Sequence, residues 1–228
     1  MPTKLIRIYR RLLTLFVSRV NQFYFRLKSL VIFHLISLGL YQPRIKQINL
    51  GGADQRIAGY YNIDINPRAD LVIDLEKKLL PFADNTIDTL ICISTINYFT
   101  RARAQKIISD VYRVLKPGAI TRFATQDFKL IVQKYLADDR DFFYQRLASG
   151  TERFKGATVV DKINTWFYGY EVHAKHCQYF YDFETLALLF KEAGFTNITN
   201  RAYLDSAIPE ITLIDNRPEQ MFYLEAIK

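Results

Sequence analysis

Between Ile45 and Lys228 the sequence alternates short apolar runs rich in β-formers with amphipathic stretches of helical period. Apolar runs of about four to eight residues, bounded by turn residues, are typical of strands, and helical stretches between them are typical of a parallel sheet. The chain therefore predicts an α/β fold with a doubly wound, mostly parallel, seven-stranded sheet. The predicted strands are 45–50, 60–65, 71–74, 87–94, 119–125, 198–204 and 221–227.

Capping residues mark the predicted helices. Thr100 precedes one helix, and Asp182 precedes a second helix that ends at Gly194, where a left-handed residue is favoured. A third helix is predicted within 128–148, with an interruption at 138–139. Because the last two strands have no long helix between them, we predict an antiparallel hairpin at the edge of the sheet.

The positive charge of the chain is concentrated at its N-terminus. The formal net charge is +8, from 31 Lys and Arg against 23 Asp and Glu, yet no acid precedes Asp54. Nine of the 31 bases lie before Asp54, which leaves 22 bases and all 23 acids in the rest of the chain. Since the excess belongs to one terminal segment, nucleic acid is not expected as a partner. The nine are Lys4, Arg7, Arg10, Arg11, Arg19, Arg26, Lys28, Arg44 and Lys46.

Residues 1–44 predict a basic, amphipathic helical extension of an α/β domain at 45–228. Apolar residues recur at three- and four-residue steps, but Arg19 and Arg26 interrupt the stripe. Two shorter helices with a break at 18–22 are therefore expected.

Two interpretations of this extension stay open. Its longest uncharged run has 15 residues, fewer than the roughly 20 of a membrane span, and no secretory cleavage pattern follows. The segment is expected to be retained in a cytoplasmic protein. It would either lie on an anionic membrane surface, as a peripheral anchor on the inner face, or pack on the body as a lid.

A glycine turn follows the first strand, and an acid ends the second. Gly51 and Gly52 would let the backbone approach a ligand, and Asp64 would accept hydrogen bonds from both hydroxyls of a ribose. A complete Gly-x-Gly-x-x-Gly motif is missing, as is the helix that a pyrophosphate requires. S-adenosylmethionine contains a nucleoside but no phosphate, so the pattern favours this methyl donor over a nicotinamide cofactor.

Five blocks in consistent order resemble the class I S-adenosylmethionine-dependent methyltransferases, in particular small bacterial members with an abbreviated first crossover. The resemblance covers about residues 45–228 and implies methyltransferase activity with S-adenosyl-L-methionine as the cofactor. The blocks are residues 48–64, 69–75, 80–88, 111–118, and 181–186 with 192–195.

The resemblance implies ten cofactor-binding residues. The glycine turn would pass under the methionine half, Asp64 would hold the ribose, and Ile65 would pack on the adenine. Asp74 and Leu75 would meet the adenine edge. The full set is Leu50, Gly51, Gly52, Ala53, Asp64, Ile65, Asp74, Leu75, and, on the methionine side, Ile93 and Ser94.

Methyl transfer requires alignment of donor and acceptor and, for a hydroxyl acceptor, removal of a proton. Asp127 follows the fifth strand and is predicted either as an acceptor contact or base, or as a helix N-cap. His173 and His176 lie in an aromatic-rich segment, 149–181, that is predicted to be irregular, and each is a candidate base or a structural residue. His173, His176 and Cys177 have a spacing that could suit a metal, but the remaining Cys and His, Cys92 and His34, are distant in the sequence. No metal site is therefore expected.

The expected function is methyl transfer to a small-molecule, sugar (glycan) or lipid-linked acceptor, at oxygen. Two alternatives stay open. The first is a partner or scaffold protein that binds the cofactor but has lost catalytic activity. It is indicated by Ala53, which stands in place of a glycine, and by the absence of the Glu and His that many members of the family have after the fourth strand. The second is an NAD-dependent oxidoreductase, against which the absent phosphate helix counts.

Overall fold

A computed structural model describes residues 2–147, 149–169 and 175–228, with side chains from residue 17 onward. Within these residues seven strands form one sheet in the order β3-β2-β1-β4-β5-β7-β6. The strands are β1 Gln47–Leu50, β2 Tyr60–Asp64, β3 Leu71–Val72, β4 Ile87–Ile93, β5 Leu115–Gln126, β6 Thr196–Arg201 and β7 Met221–Ile227.

The first five strands are parallel, and β7 runs antiparallel to both β5 and β6. The predicted doubly wound sheet with a terminal antiparallel hairpin is therefore confirmed. The central strands are apolar because both of their faces are covered: Ile48, Leu90 and Ile91 are fully buried.

The helices begin and end where the caps predict. The Thr100 hydroxyl accepts the Arg103 N–H, the Asp182 carboxylate accepts the Thr185 N–H at 2.8 Å, and Gly194 has a φ of 103°. The helices are α1 Pro2–Ser37, α2 Arg101–Val114, α3 Phe128–Leu136, α4 Arg140–Phe143, α5 Val159–Tyr168, α6 Phe183–Ala193 and α7 Ile211–Ile214, with a 3₁₀ turn at Ile96–Tyr98.

The prediction that 149–181 is irregular throughout was wrong, because α5 lies within it. Thr158 and Asp161 form a reciprocal capping box, in which each side chain accepts the other residue's N–H. Trp166 and Phe167 are buried in a separate aromatic cluster. Burial of these two rings favours the helix over an irregular path.

The predicted break at 18–22 was also wrong, because α1 is one continuous helix of 36 residues, about 54 Å long. No glycine occurs in it, and its single proline stands at the first position, where proline is tolerated. Arg19 and Arg26 are exposed, so neither charge has to be buried and the helix continues past both. Among the described residues, no helix combines the length and the hydropathy that crossing a membrane requires.

Among the residues of α1 whose side chains are described, from residue 17 onward, those near the C-terminal end pack on the body. Ile32, Phe33 and Ile36 contact the main core, and the Ser29 hydroxyl accepts the N–H of Val72 at 3.1 Å. At 100° per residue these side chains point in one direction, about 180° away from the apolar residues of the preceding turns. We call those residues the exposed stripe: Val17, Val20, Phe23, Tyr24, Leu27, Leu30 and Val31, which are 44–69% exposed.

The connection from β1 to β2 contains no helix. The face of the sheet that such a helix would cover is covered instead by residues 202–220, the β6–β7 segment. Three of its residues pack on the apolar side chains Ile57, Tyr60 and Ile91. The three are Ile208, Ile211 and Ile214.

Candidate active site

A cavity of about 450 Å³ opens at the carboxyl ends of β1, β2 and β4. In an open α/β sheet this edge, where the strand order reverses beside β1, is the usual place for a ligand. Nine of the ten predicted cofactor residues line the cavity. The tenth, Leu50, is fully buried in the core beneath it.

The glycine turn is tightly packed on its lower side. Gly51 has a φ of 74°, and a Cβ there would overlap the side chain of Thr95. A Cβ on Gly52 would overlap the amide groups of Asn49 and Asn62. Both positions therefore require glycine, and the bare backbone forms a floor that a ligand can approach closely.

Asp64 connects the end of β2 to this turn. Its Oδ2 accepts the Ala53 N–H at 2.9 Å, and its Oδ1 accepts the Asn66 N–H at 2.7 Å. The carboxylate is buried in the protein yet faces the cavity. Each oxygen keeps a second lone pair, so the fixed carboxylate can still accept hydrogen bonds from two ribose hydroxyls.

Asp74 lies at the far side of the cavity, beyond β3, with Lys175. The Lys175 Nζ donates to Asp74 Oδ1 at 2.6 Å, although the two residues are 101 positions apart. Partial burial acts to raise the pKa of Asp74, but the hydrogen bond and charge of Lys175, the Glu76 N–H and the charge of Lys77 together outweigh it and lower that pKa. The pair closes the end of the cavity that the resemblance assigns to the adenine.

Four further polar residues, from four different parts of the chain, also line the cavity. Gln126 follows β5 and accepts a hydrogen bond from Asn97 at 2.9 Å, and Gln220 accepts one from the indole N–H of Trp166 at 3.2 Å. The other two are Arg153 and Tyr98. Groups of this kind can form hydrogen bonds with a ligand that enters the cavity.

The predicted catalytic residues that the structure describes do not line the cavity. Asp127 follows Gln126 and caps α3, since its Oδ1 accepts the Lys129 N–H at 3.0 Å. Burial raises its pKa, although the backbone N–H groups of the cap act in the opposite direction. His176 is exposed, with its Nδ1 3.2 Å from the Tyr168 carbonyl oxygen. His173 lies outside the described residues.

Reasoning from the sequence missed Arg217, which lines the cavity from the β6–β7 segment. Its Nη2 donates to the Ser94 hydroxyl at 2.6 Å across 123 positions. Both residues have left-handed backbones, with φ of 54° and 56°. No local motif announces Arg217, because only the packing of the β6–β7 segment on the sheet brings it to the cavity.

Comparison with known protein families identifies a domain in the part of the chain that contains the glycine turn and Asp64. Residues 50–123 match the family model of a methyltransferase domain. This match runs from the last residue of β1 into β5, and it contains all ten predicted cofactor residues. A search of curated proteins gave no match.

Several solved structures are similar. An S-adenosylmethionine-dependent methyltransferase from Mesorhizobium loti is 14% identical, with 82% of this chain and 94% of that chain covered and a TM-score of 0.45. One from Thermotoga maritima, described as a possible histamine N-methyltransferase, is 15% identical, with 97% and 99% covered and a TM-score of 0.46. A Haemonchus contortus phosphoethanolamine N-methyltransferase, solved with S-adenosylhomocysteine, is 12% identical, with 88% and 52% covered and a TM-score of 0.45.

Proposed function

We propose that this chain, which is a class I S-adenosylmethionine-dependent methyltransferase, transfers the methyl group to an oxygen of a small-molecule, sugar or lipid-linked acceptor. The observation that carries the proposal is the cavity, which is lined by a glycine floor, the Asp64 carboxylate and several polar side chains. Neither the scaffold alternative nor the oxidoreductase alternative has gained support.

The residues present fit the proposed donor. The backbone floor at Gly51 and Gly52 accommodates the methionine half, Asp64 holds the ribose, and Leu75 and Ile65 offer apolar contacts to the adenine. When bound, S-adenosylmethionine would supply a methyl group on a sulfonium, which passes to the acceptor oxygen as the S–CH3 bond breaks and S-adenosylhomocysteine leaves. The protein's part is to hold donor and acceptor in line and to exclude water.

The acceptor side supports a hydroxylated acceptor. Among the residues that line the cavity, Gln126 and Gln220 present amide groups, and Arg153 and Tyr98 add further hydrogen-bonding groups. Amide and guanidinium groups of this kind orient hydroxyls and anions. The buried indole of Trp166 holds the Gln220 amide in place, so this part of the wall is preorganised.

Three groups are proposed as the base that removes the acceptor proton: Asp127, His173 and His176. We propose Asp127→Asn, His173→Ala and His176→Ala, each followed by a pH–rate profile. A general base must be deprotonated to act, so loss of the acidic limb of the profile in one variant would identify the base. Unchanged pH–rate profiles in all three variants would show that none of these residues acts as the base. Alignment of donor and acceptor would then be the protein's contribution to catalysis.

Calorimetric titration with S-adenosylmethionine, S-adenosylhomocysteine and NADH tests the cofactor site. We expect both sulfur ligands to bind and NADH not to bind. Asp64→Ala should lower the affinity for the two sulfur ligands about tenfold or more. Asp88→Ala, an exposed acid that pairs with Lys116, is the matched control. Equal affinities in wild type and Asp64→Ala would contradict the assigned ribose contact. Methyl-labelled donor incubated with a metabolite extract then tests for acceptors.

We further propose that α1 attaches the protein to an anionic membrane surface. The exposed stripe points away from the body, so the described residues of the body leave it uncovered. Arg19 and Arg26 border the stripe on one side, about 20° and 40° beyond its edge, and Lys28 borders it on the other side, about 20° beyond its edge. Apolar residues flanked by bases, with no acid before Asp54, suit a helix that lies in the plane of anionic headgroups.

Sedimentation of the full chain with vesicles tests this attachment. We expect binding to vesicles that contain phosphatidylserine, and at least about tenfold weaker binding for Phe23→Ser with Leu27→Ser, because burial of each apolar side chain contributes about 1–2 kcal/mol. Leu136→Ser, at a residue 78% exposed on the body, is the control. Equal binding by all three proteins, or none by wild type, would reject the anchor. A concentration-dependent dimer would assign the stripe to a second copy instead.

A further inference from the structure

The carboxylate of Asp74 stands in a turn that follows β3. The Asp74 carbonyl oxygen accepts the N–H groups of Lys77 and Lys78, each at 3.0 Å, and Asp74 Oδ1 accepts the Glu76 N–H at 3.1 Å. The Asp74 side chain is 25% exposed and lines the cavity. The turn therefore places a carboxylate, on a fixed backbone, at the adenine end of the cavity.

Lys175 reaches this turn from a position 101 residues further along the chain. Its Nζ donates to Asp74 Oδ1 at 2.6 Å and lies 5.8 Å from the centre of the Phe99 ring. The Lys175 side chain is 23% exposed, and all three residues line the cavity. Because the pair is partly buried, solvent screens it less than an exposed ion pair, and Lys175 restrains the carboxylate.

The two oxygens of the Asp74 carboxylate have different surroundings. Oδ1 accepts two hydrogen bonds, from the Glu76 N–H and from Lys175. In the part of the chain that the structure describes, no donor lies within hydrogen-bond distance of Oδ2. The Lys77 Nζ is 3.7 Å from it, and this lysine is 79% exposed. Oδ2 therefore keeps its lone pairs for a ligand.

Two other cations lie beside this turn in the described chain, and neither replaces Lys175. Arg103 of α2 donates to two backbone carbonyl oxygens of the turn, those of Leu75 and Lys78. Lys77 is exposed, so solvent screens its charge. Lys175 supplies both a hydrogen bond and a charge that act against the effect of burial on the Asp74 pKa, and the net result is a lowered pKa.

The adenine of the proposed donor has a group that is complementary to Oδ2. Its 6-amino group donates hydrogen bonds, and a carboxylate accepts them at either oxygen while it is ionised. A 6-oxo purine has an acceptor at the same place, which an ionised carboxylate repels. An oriented, ionised Asp74 would therefore select a 6-amino purine.

We propose that Lys175 is a positioning residue for the adenine end of the donor site, where it orients the Asp74 carboxylate so that Oδ2 accepts a hydrogen bond from the 6-amino group. This inference rests on the proposed donor site. It gives a role in donor selection to a residue outside the matched domain at 50–123.

Two ligands that differ at position 6 of the purine test the proposal by calorimetry. S-adenosylhomocysteine has the amino group, and S-inosylhomocysteine has an oxo group instead. At pH 8 we expect wild type to bind the adenosyl ligand at least about tenfold more tightly. Lys175→Met should weaken the adenosyl ligand about tenfold and leave the inosyl ligand within about twofold of wild type. Lys175→Arg, which keeps a charged donor, should stay within about threefold of wild type for both ligands.

The pH dependence of binding distinguishes positioning from a merely structural role. In wild type the lowered pKa keeps Asp74 ionised from pH 8 to pH 4.5, so affinity for S-adenosylhomocysteine should change little. In Lys175→Met burial still raises the pKa, so Asp74 takes up a proton at a higher pH than in wild type. Affinity for the adenosyl ligand should then fall a further threefold or so by pH 4.5. Affinity for the inosyl ligand should rise, because a protonated Asp74 can donate to the 6-oxo group.

Lys77→Met is the matched control, because this lysine belongs to the same turn but is exposed and lies outside the described cavity. It should stay within about twofold of wild type for both ligands at both pH values. Wild-type affinity for S-adenosylhomocysteine in Lys175→Met, or an equal loss of both ligands at both pH values, would overturn the proposal. Wild-type protein that binds neither ligand would reject the donor site itself and this inference with it. That outcome is distinct from a wild type that binds S-adenosylhomocysteine without dependence on Lys175.

Discussion

Ala53 stands where the family pattern has the second glycine of its turn, and it adopts a left-handed φ of 47°. For an L-residue with a Cβ this conformation costs about 1–2 kcal/mol. The Ala53 N–H donates to Asp64 Oδ2 at 2.9 Å, which holds the backbone in this conformation. Backbone strain of this kind lies at several positions around the cavity, including Ser94 and Arg217.

Ala53→Gly is expected to stabilise the fold by about 0.5–1 kcal/mol, since relief of the strain exceeds the added chain entropy of glycine. The donor affinity should be equal or higher, because a methyl group is removed from the cavity wall. Denaturant unfolding and calorimetry measure the two effects. The control, Ala58→Gly, replaces an exposed loop alanine outside the left-handed region and should destabilise by about 0.4–1 kcal/mol. A loss of stability in Ala53→Gly would contradict the strain argument.

At the scale of elements, the β6–β7 segment performs two tasks that its sequence does not announce. It covers the face of the sheet that the short first crossover leaves open, and it carries Arg217 to the cavity. Its attachment depends on charge as well as on apolar packing. The Asp215 carboxylate also accepts the Leu204 N–H at 2.8 Å, so this one acid connects both ends of the segment to β5 through Arg122.

Asp215→Asn is expected to destabilise the protein by about 3–5 kcal/mol, because the Arg122 guanidinium would lose much of its compensating charge in a fully buried position. Thermal or denaturant unfolding measures this change. Asp205→Asn, an exposed acid of the same segment 3.6 Å from Arg201, is the control and should stay within about 0.5 kcal/mol of wild type. Similar small changes in both variants would show that Glu225 alone compensates Arg122.

For the whole molecule, the ligand cavity is formed by residues from opposite ends of the α/β domain. The glycine turn and Asp64 come from its first strands, and Gln220 and Arg217 come from the segment before its last strand. A ligand in this cavity would therefore contact both parts and oppose unfolding of the domain as a unit.

Saturation with S-adenosylhomocysteine at about 100 times its dissociation constant is expected to add about 2.7 kcal/mol of stability. For a chain of 228 residues this corresponds to a rise in Tm of about 5–10 °C. Differential scanning calorimetry measures the rise, with NADH at the same concentration as the control ligand. The same rise with Asp64→Ala protein would contradict binding at this cavity.

The pattern of the sequence by itself determined the order and type of most elements and three residues of the cavity lining, Gly51, Gly52 and Asp64; six more came from the resemblance to a known family. These features are local: the period of apolar residues specifies strand or helix, side-chain caps mark the helix ends, and acids or glycines at strand ends meet at one edge of a parallel sheet. The same local reasoning missed α5, whose stability depends on the burial of Trp166 and Phe167. Local reasoning also predicted a break in α1. It assumed that the apolar stripe is buried, and that the helix must therefore end before Arg19 and Arg26 enter the buried face.

Only the tertiary structure decided which distant residues meet. Lys175 reaches Asp74, and Arg217 reaches Ser94, across more than a hundred positions in each case. The direction of the exposed stripe was decided in the same way, since it depends on which face of α1 packs on the core. Such contacts follow from the packing of whole elements, a free energy summed over many side chains, and no short stretch of sequence encodes that sum.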